Sequence, residues 1–239
     1  MQSSQWVRWT GAATLLGMVA CSSVKSGDVA TSGIHVDFSA TTEGLGTTAQ
    51  AILRAGDAQS NTFVALDSGD TLTVTAGAET VTLGEVSLGD VYAYIGALTV
   101  QDPGTEFTFV FTRAIEESAP ASTAVMPDSF LLTAPAADTV FSRAADPITV
   151  TWDPSGSADA IQVDLHSDCI LDTQIAADGD PGTYTFEVGS YEVPESAEGQ
   201  SCDATLTVHR IRYGTLDGAF GSGQIYAAWQ QSVEIRLDP

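Results

Sequence analysis

The sequence predicts an all-β chain built as two tandem sandwiches, and three observations carry that expectation. Short runs that alternate apolar and polar residues recur through most of the 239 positions, turn residues, including many of the 22 glycines, interrupt them, and no helix-length stretch keeps a 3.6-residue period. Hydrophobic residues make up 44% of the chain, enough for packed cores and too many for a disordered chain.

The first element is not a fold element. Residues 1–20 carry one basic side chain, Arg8, followed by an uncharged run of small and apolar residues from Thr10 to Ala20. A helix needs about 20 apolar residues to cross a bilayer; this run is shorter and gives way at once to the polar "SSVKSGD", the pattern of an export signal. Residues 21–32 are expected to form a polar tether.

Residues 33–113 read as a first sandwich of seven strands: "GIHVDFSA", "TAQAILRAG", "TFVALDSGD", "TLTVTAG", "ETVTLGEV", "VYAYIGALTV" and "EFTFVFTR". In the last of these Phe107, Phe109 and Phe111 point one way and Thr108, Val110 and Thr112 the other, as in a strand with one face in a core. Residues 114–127, "AIEESAPASTAVMP", lose the alternation and are expected to be an exposed linker.

Residues 128–239 read as the second sandwich. Ile148, Val150 and Trp152 form one inward stripe, and Ile161, Val163 and Leu165 another. Near the end, Ala204, Leu206 and Val208 alternate in one phase and Ile211 and Tyr213 in the other, so a β-bulge is expected between them. "GTLDGAFGSG" is a glycine-rich loop before the last strand, "IYAAWQQSVEIRL".

Charge and cysteines narrow the function classes. The chain has 31 acidic and eight basic side chains; loss of the signal removes Arg8 alone, leaving seven against 31, a formal charge of −24. Such a surface disfavours nucleic acid as a partner. Of the three cysteines, Cys21 follows the signal, and Cys169 and Cys202 remain to form a disulfide in an oxidising compartment or to stay as buried thiols. No spacing of cysteines or histidines suits zinc.

No catalytic constellation is visible. His35, His166 and His209 stand in no nucleophile motif, and His35 alternates as a solvent-facing strand residue. Asp67 and Asp70, and Asp178 and Asp180, sit in turn loops that carry clustered carboxylates but not the twelve-residue calcium pattern. Arg210 and Arg212 either capture an acidic ligand or pair with some of the 18 acids found from Met126 onward. Tyr226 and Trp229 offer either a sugar-binding face or core packing. No cofactor is expected, and neither a catalytic nor a metal-binding residue is assigned.

Two resemblances add to this reading. Leu16, Gly17, Met18, Val19 and Ala20 leading into Cys21 resemble the bacterial lipobox, with Met18 where leucine is usual. The resemblance implies that Cys21 is lipidated and becomes the mature amino terminus, so that the bilayer is one partner. Two or three acyl chains make a durable anchor. Ser22, where an inner-membrane lipoprotein often has aspartate, implies the outer membrane.

Asp180, Gly182 and Tyr184 resemble the tyrosine corner of immunoglobulin-like domains, although Phe186 stands where those domains place cysteine. "FLLTAPAADTVFSRAADPITVTWDPSGSADAIQVDL" and "TQIAADGDPGTYTFEV" are similar to the Kre9/Knh1-like class of immunoglobulin-like extracytoplasmic domain. The whole chain is similar to envelope lipoproteins of predatory and social bacteria, the myxobacterial type. That implies a structural, adhesive or binding role toward an envelope protein or polysaccharide, with calcium-dependent carbohydrate binding or hydrolysis as the alternative.

Overall fold

A computed structural model describes residues 21–239; residues 1–20, expected to be an export signal and including Met18 and Ala20, lie outside the described residues. The first ten strands are β1 (Ser22–Lys25), β2 (Ile34–Thr42), β3 (Thr47–Ala55), β4 (Thr62–Ala65), β5 (Thr71–Ala76), β6 (Glu79–Thr82), β7 (Gly84–Leu88), β8 (Val91–Leu98), β9 (Glu106–Thr112) and β10 (Ala119–Val125). Eight more follow: β11 (Leu131–Ala134), β12 (Val140–Ser142), β13 (Ile148–Asp153), β14 (Ala160–Ser167), β15 (Thr173–Ala177), β16 (Thr183–Phe186), β17 (Cys202–Tyr213) and β18 (Ser222–Asp238). Among the described residues helix is confined to single 3₁₀ turns, and the all-β sandwich class stands.

One long sheet runs β1-β4-β3-β2-β18-β17-β14-β15, with β8 and then β7 branching from β3. Two small sheets cover it. The sheet β10-β9-β5-β6 closes the first core, where Phe38 stacks on Phe109 at 4.8 Å. The sheet β11-β13-β16 closes the second, over Trp152, Val163 and Leu206. In the second sandwich, β11, β13 and β16 facing β15, β14, β17 and β18 reproduce the immunoglobulin-type distribution of strands between two sheets.

Several boundaries differ from the sequence-based expectation. The "ETVTLGEV" run is two strands, because Leu83 turns into the core and sends β6 to one sheet and β7 to the other. The segment expected as an exposed linker, 114–127, contains β10, which pairs with β9 and buries Ala119, Ala124 and Met126. Small residues there hid a strand from a search for bulky alternation. The second-sandwich assignment of 128–239 also changes at its end. Ser222–Trp229 of β18 lies parallel to β2, so Phe220, Ile225 and Ala227 belong to the first core.

The 21–32 segment is not a free tether. β1 runs parallel to β4, Ser26 and Thr31 are buried, and Gly33 and Ile34 lead straight into β2. The expected bulge in β17 is absent as well, since β17 and β18 pair without a shift from Cys202↔Leu237 to Tyr213↔Tyr226. Arg210 continues the inward phase of Leu206 and Val208, leaving Ile211 and Tyr213 on the other face. Gly223 allows β18 to meet β2 closely: its φ is +139° and a Cβ there would stand 2.0 Å from the Val36 carbonyl oxygen.

Candidate functional sites

The amino-terminal end presents Cys21 as an exposed free thiol. Its strand is held at both edges. The Ser22 amide donates to the Asn61 carbonyl at 3.0 Å, and the Ser23 hydroxyl donates to Asp90 at 2.8 Å in the β7–β8 turn. Farther in, the Gly27 amide donates to Asp67 at 2.9 Å; this bond, with the Ser26 hydroxyl and the Lys25 charge, outweighs desolvation and holds the Asp67 carboxyl below the ordinary carboxylate range.

Arg113 fixes the same segment from below. Its guanidinium donates to Asp70 at 2.7 Å, to the Thr31 hydroxyl at 2.9 Å, and to the Ser26 and Val29 carbonyls at 2.6 and 3.0 Å. Asp70 also accepts from the Ala114 amide at 2.9 Å. The two carboxylates of "LDSGD" are therefore engaged by protein groups.

The "DGDPG" loop divides the same way. Asp178 is exposed, whereas Asp180 is buried and accepts from the Trp152 indole at 2.7 Å, Arg210 at 2.8 Å and the Ser157 amide at 3.0 Å. Arg210 also donates to the carbonyls of Asp128, Ser129 and Pro154 and lies over the Phe130 ring. Arg212 makes a two-pronged bond to Asp159, at 2.7 and 2.8 Å. Burial opposes ionisation of Asp159, but the Arg212 and Ser157 hydrogen bonds and the two arginine charges prevail and lower its pKa. Of the two readings left open for these arginines, internal pairing is the observed one. Among the described residues no three His, Cys, Asp or Glu side chains are grouped as metal ligands.

Cys169 and Cys202 form a disulfide, with Cα atoms 6.2 Å apart. It ties the turn after β14 to the start of β17, within one sheet, unlike the inter-sheet bridge of antibody domains. The tyrosine-corner expectation changes too. Tyr184 packs edge-on against Phe186 at 5.0 Å, and the aspartate ahead of it serves Arg210. A phenol that does secure a loop is Tyr94, which sequence reading passed over: its hydroxyl donates to the Val64 carbonyl at 2.9 Å and accepts from the Leu66 amide at 2.8 Å. Burial pushes its pKa up to about 12.

The three histidines do not meet. His35 is buried rather than solvent-facing, with Nδ1 2.8 Å from the Ser222 hydroxyl, because β18 covers it. His166 pairs with Asp172 at an exposed edge, and His209 lies 3.0 Å from Asp164.

What the fold does assemble is an outward polar face. Register places Gln162 opposite His209, His209 opposite Gln230, and Tyr213 opposite Tyr226. These residues with Gln174 and Gln224 line a shallow depression of about 300 Å³ across β15, β14, β17 and β18. Tyr213 and Tyr226 meet edge to face at 6.1 Å, and Tyr213 is 61% exposed. Trp229, on the opposite face, packs against both cores. The glutamines carried no local signal, because only strand register aligns them.

No protein-family model matches the chain, and no curated protein does. Among solved structures it is similar to the FN1–FN3 domains of chicken CNTN1, at 10% identity over 85% of this chain and 63% of that one, TM-score 0.30. It is also similar to a three-Ig titin fragment, an E-to-A mutated variant, at 10% identity over 86% and 65%, TM-score 0.25. A third is Dpr11 IG1 bound to DIP-gamma, at 5% identity over 86% and 96%, TM-score 0.22. The chain thus spans under two thirds of the first two; the fold assignment rests on its own strands.

Proposed function

We propose that this is a lipid-anchored cell-envelope protein of the outer membrane with a binding, adhesive or structural role and no catalytic activity. Its acyl chains sit on Cys21, and its ligand surface is the outward face bearing Tyr213, Tyr226 and the four glutamines. The observation that carries the binding role is that face: aromatic and amide groups lie side by side across four strands, with the Asp164 carboxylate held by Gln162 and His209 beside them. Stacking rings and amides suit an uncharged polar ligand such as an envelope polysaccharide. The alternative of calcium-dependent binding is weakened because Asp70 and Asp180, in the two acidic loops, are spent on arginines. The Kre9/Knh1-like and envelope-lipoprotein resemblances of the sequence support the same assignment.

The anchor is tested by labelling cells with radioactive palmitate: the wild type should carry label and sediment with membranes, and Cys21→Ser should do neither. The face is tested by retention on immobilised envelope polysaccharide, where Tyr213→Ala and Gln230→Ala together should abolish binding while circular dichroism stays unchanged. Retention equal to wild type would remove this face from the reading.

A further inference from the structure

The β7–β8 hairpin is apolar where a solvent-facing edge should be polar. Leu88 is 85% exposed, Val86 56%, Val91 38% and Ile95 37%. Register puts them on one face: Leu88 opposite Val91, Val86 opposite Ala93, and Gly84 opposite Ile95, with Tyr94 and Leu98 turned the other way into the core. Among the described residues β7 pairs with β8 alone, so this face lies at the end of the long sheet. Exposed clusters of large aliphatic groups mark contact surfaces.

The position of Cys21 says what covers it. The hairpin turn holds β1 through the Ser23–Asp90 hydrogen bond at 2.8 Å, and Cys21 is two residues before Ser23. Two extended residues reach about 7 Å, so chains attached to the Cys21 sulfur start within reach of the hairpin turn. There is no slack to move them elsewhere, because β1 is paired with β4 and Arg113 grips the Ser26 and Val29 carbonyls. Lys25, the sole lysine, stands on the same strand with its side chain 70% exposed and its ammonium 3.8 Å from Asp67. Glu85 and Asp90 are the acids of the hairpin, and both are exposed.

We infer that the β7–β8 hairpin is a second membrane contact, in which Leu88, Val86 and Val91 enter the outer part of the bilayer beside the acylated Cys21 and hold the first sandwich upright on the surface. The inference rests on the lipid-anchor reading above. An acyl chain on a long tether would leave orientation free; a clamped segment with an apolar hairpin beside it fixes which end faces the lipid.

The test uses the full chain, processed in a bacterial host and reconstituted in phosphatidylcholine vesicles containing nitroxide-labelled lipid. With Cys21 alkylated and Cys169 joined to Cys202, Leu88→Cys supplies a single thiol for an environment-sensitive fluorophore. Ser190→Cys, exposed in the second sandwich, is the reference. Quenching several-fold stronger at position 88 than at 190, with a blue-shifted emission, is the expected result. Equal quenching at both positions in vesicle-bound, lipid-modified protein overturns the hairpin contact and leaves the anchor standing. An unmodified Cys21 mass with protein free of vesicles overturns both. Concentration-dependent burial of the label at position 88 without vesicles assigns the patch to a second copy of the chain and likewise overturns it.

Discussion

Each sandwich buries one arginine against a buried aspartate, and the two are used differently. Arg113 and Arg210 are each 1% exposed at the side chain, each pairs with a buried aspartate, Asp70 or Asp180, and each lies over a phenylalanine ring, Phe111 or Phe130. Each also caps carbonyls of the segment that enters its sandwich, Ser26 and Val29 in the first, Asp128 and Ser129 in the second. Burying such a pair is tolerable only when most remaining donors find acceptors; the entering backbone supplies them, although Arg210 Nε is buried without a partner. Arg113 stands just past the end of β9 and holds a surface segment. Arg210 is in mid-strand, joined to Trp152 through Asp180, and so ties two sheets together. The same chemistry serves as a latch in one place and as part of the core in the other.

The strongest way to break that distinction is to remove the arginines. Arg210→Ala should destabilise the protein by about 3–5 kcal/mol by stranding Asp180, seen as a lowered urea midpoint. Arg113→Ala should cost a similar amount locally but also expose residues 22–33 to protease before global unfolding. Equal losses without early cleavage would make the two sites equivalent. Next in size, Cys169→Ala with Cys202→Ala should cost about 3–4 kcal/mol on the chain-entropy account of a loop this long. Hydrogen exchange should rise in β13, β14 and β16 well before β5 and β9; a uniform rise would show one cooperative unit spanning both cores.

Tyr94→Phe acts on the first sandwich alone, leaving the Val64 carbonyl and Leu66 amide without their partner, at about 1–3 kcal/mol. Alkali sharpens this. The Tyr94 pKa is about 12 against an ordinary value of 10.0, so the unfolded chain ionises first; the contribution is whole below pH 10 and is lost as pH rises toward 12. The phenylalanine variant should lack that part of the slope in denaturation midpoints measured across this range. The smallest effect belongs to Asp159 in the second sandwich. Its pKa lies below the ordinary 3.8, so its stabilisation is present above that value and is lost as pH falls through the lower folded value. Asp159→Asn should flatten the acid limb of a stability profile slightly, and an unchanged limb would discount the Arg212 pair.

Legibility followed the range of the interactions. Phe107, Phe109 and Phe111, and Ile148, Val150 and Trp152, announced their faces through a two-residue period, and all six are buried. The β10 strand was illegible because alanine, serine and threonine carry little hydrophobic contrast, although Ser122 is fully buried. Arg210 misled the phase reading of β17, since a charged residue enters a core only when acceptors from distant segments converge on it. His35 looked solvent-facing until β18 covered it.

By itself the sequence determined the all-β class, most strand positions, the inward stripes and the two cysteines free to pair, because each depends on alternation or on counting. Only the tertiary structure decided that β18 closes the first sandwich, that β1 is docked rather than free, and that tyrosines and glutamines from four strands share one face. Those outcomes depend on pairings such as Ser222 with His35 and Ser22 with Thr62, whose partners lie far apart along the chain, where no local periodicity records them.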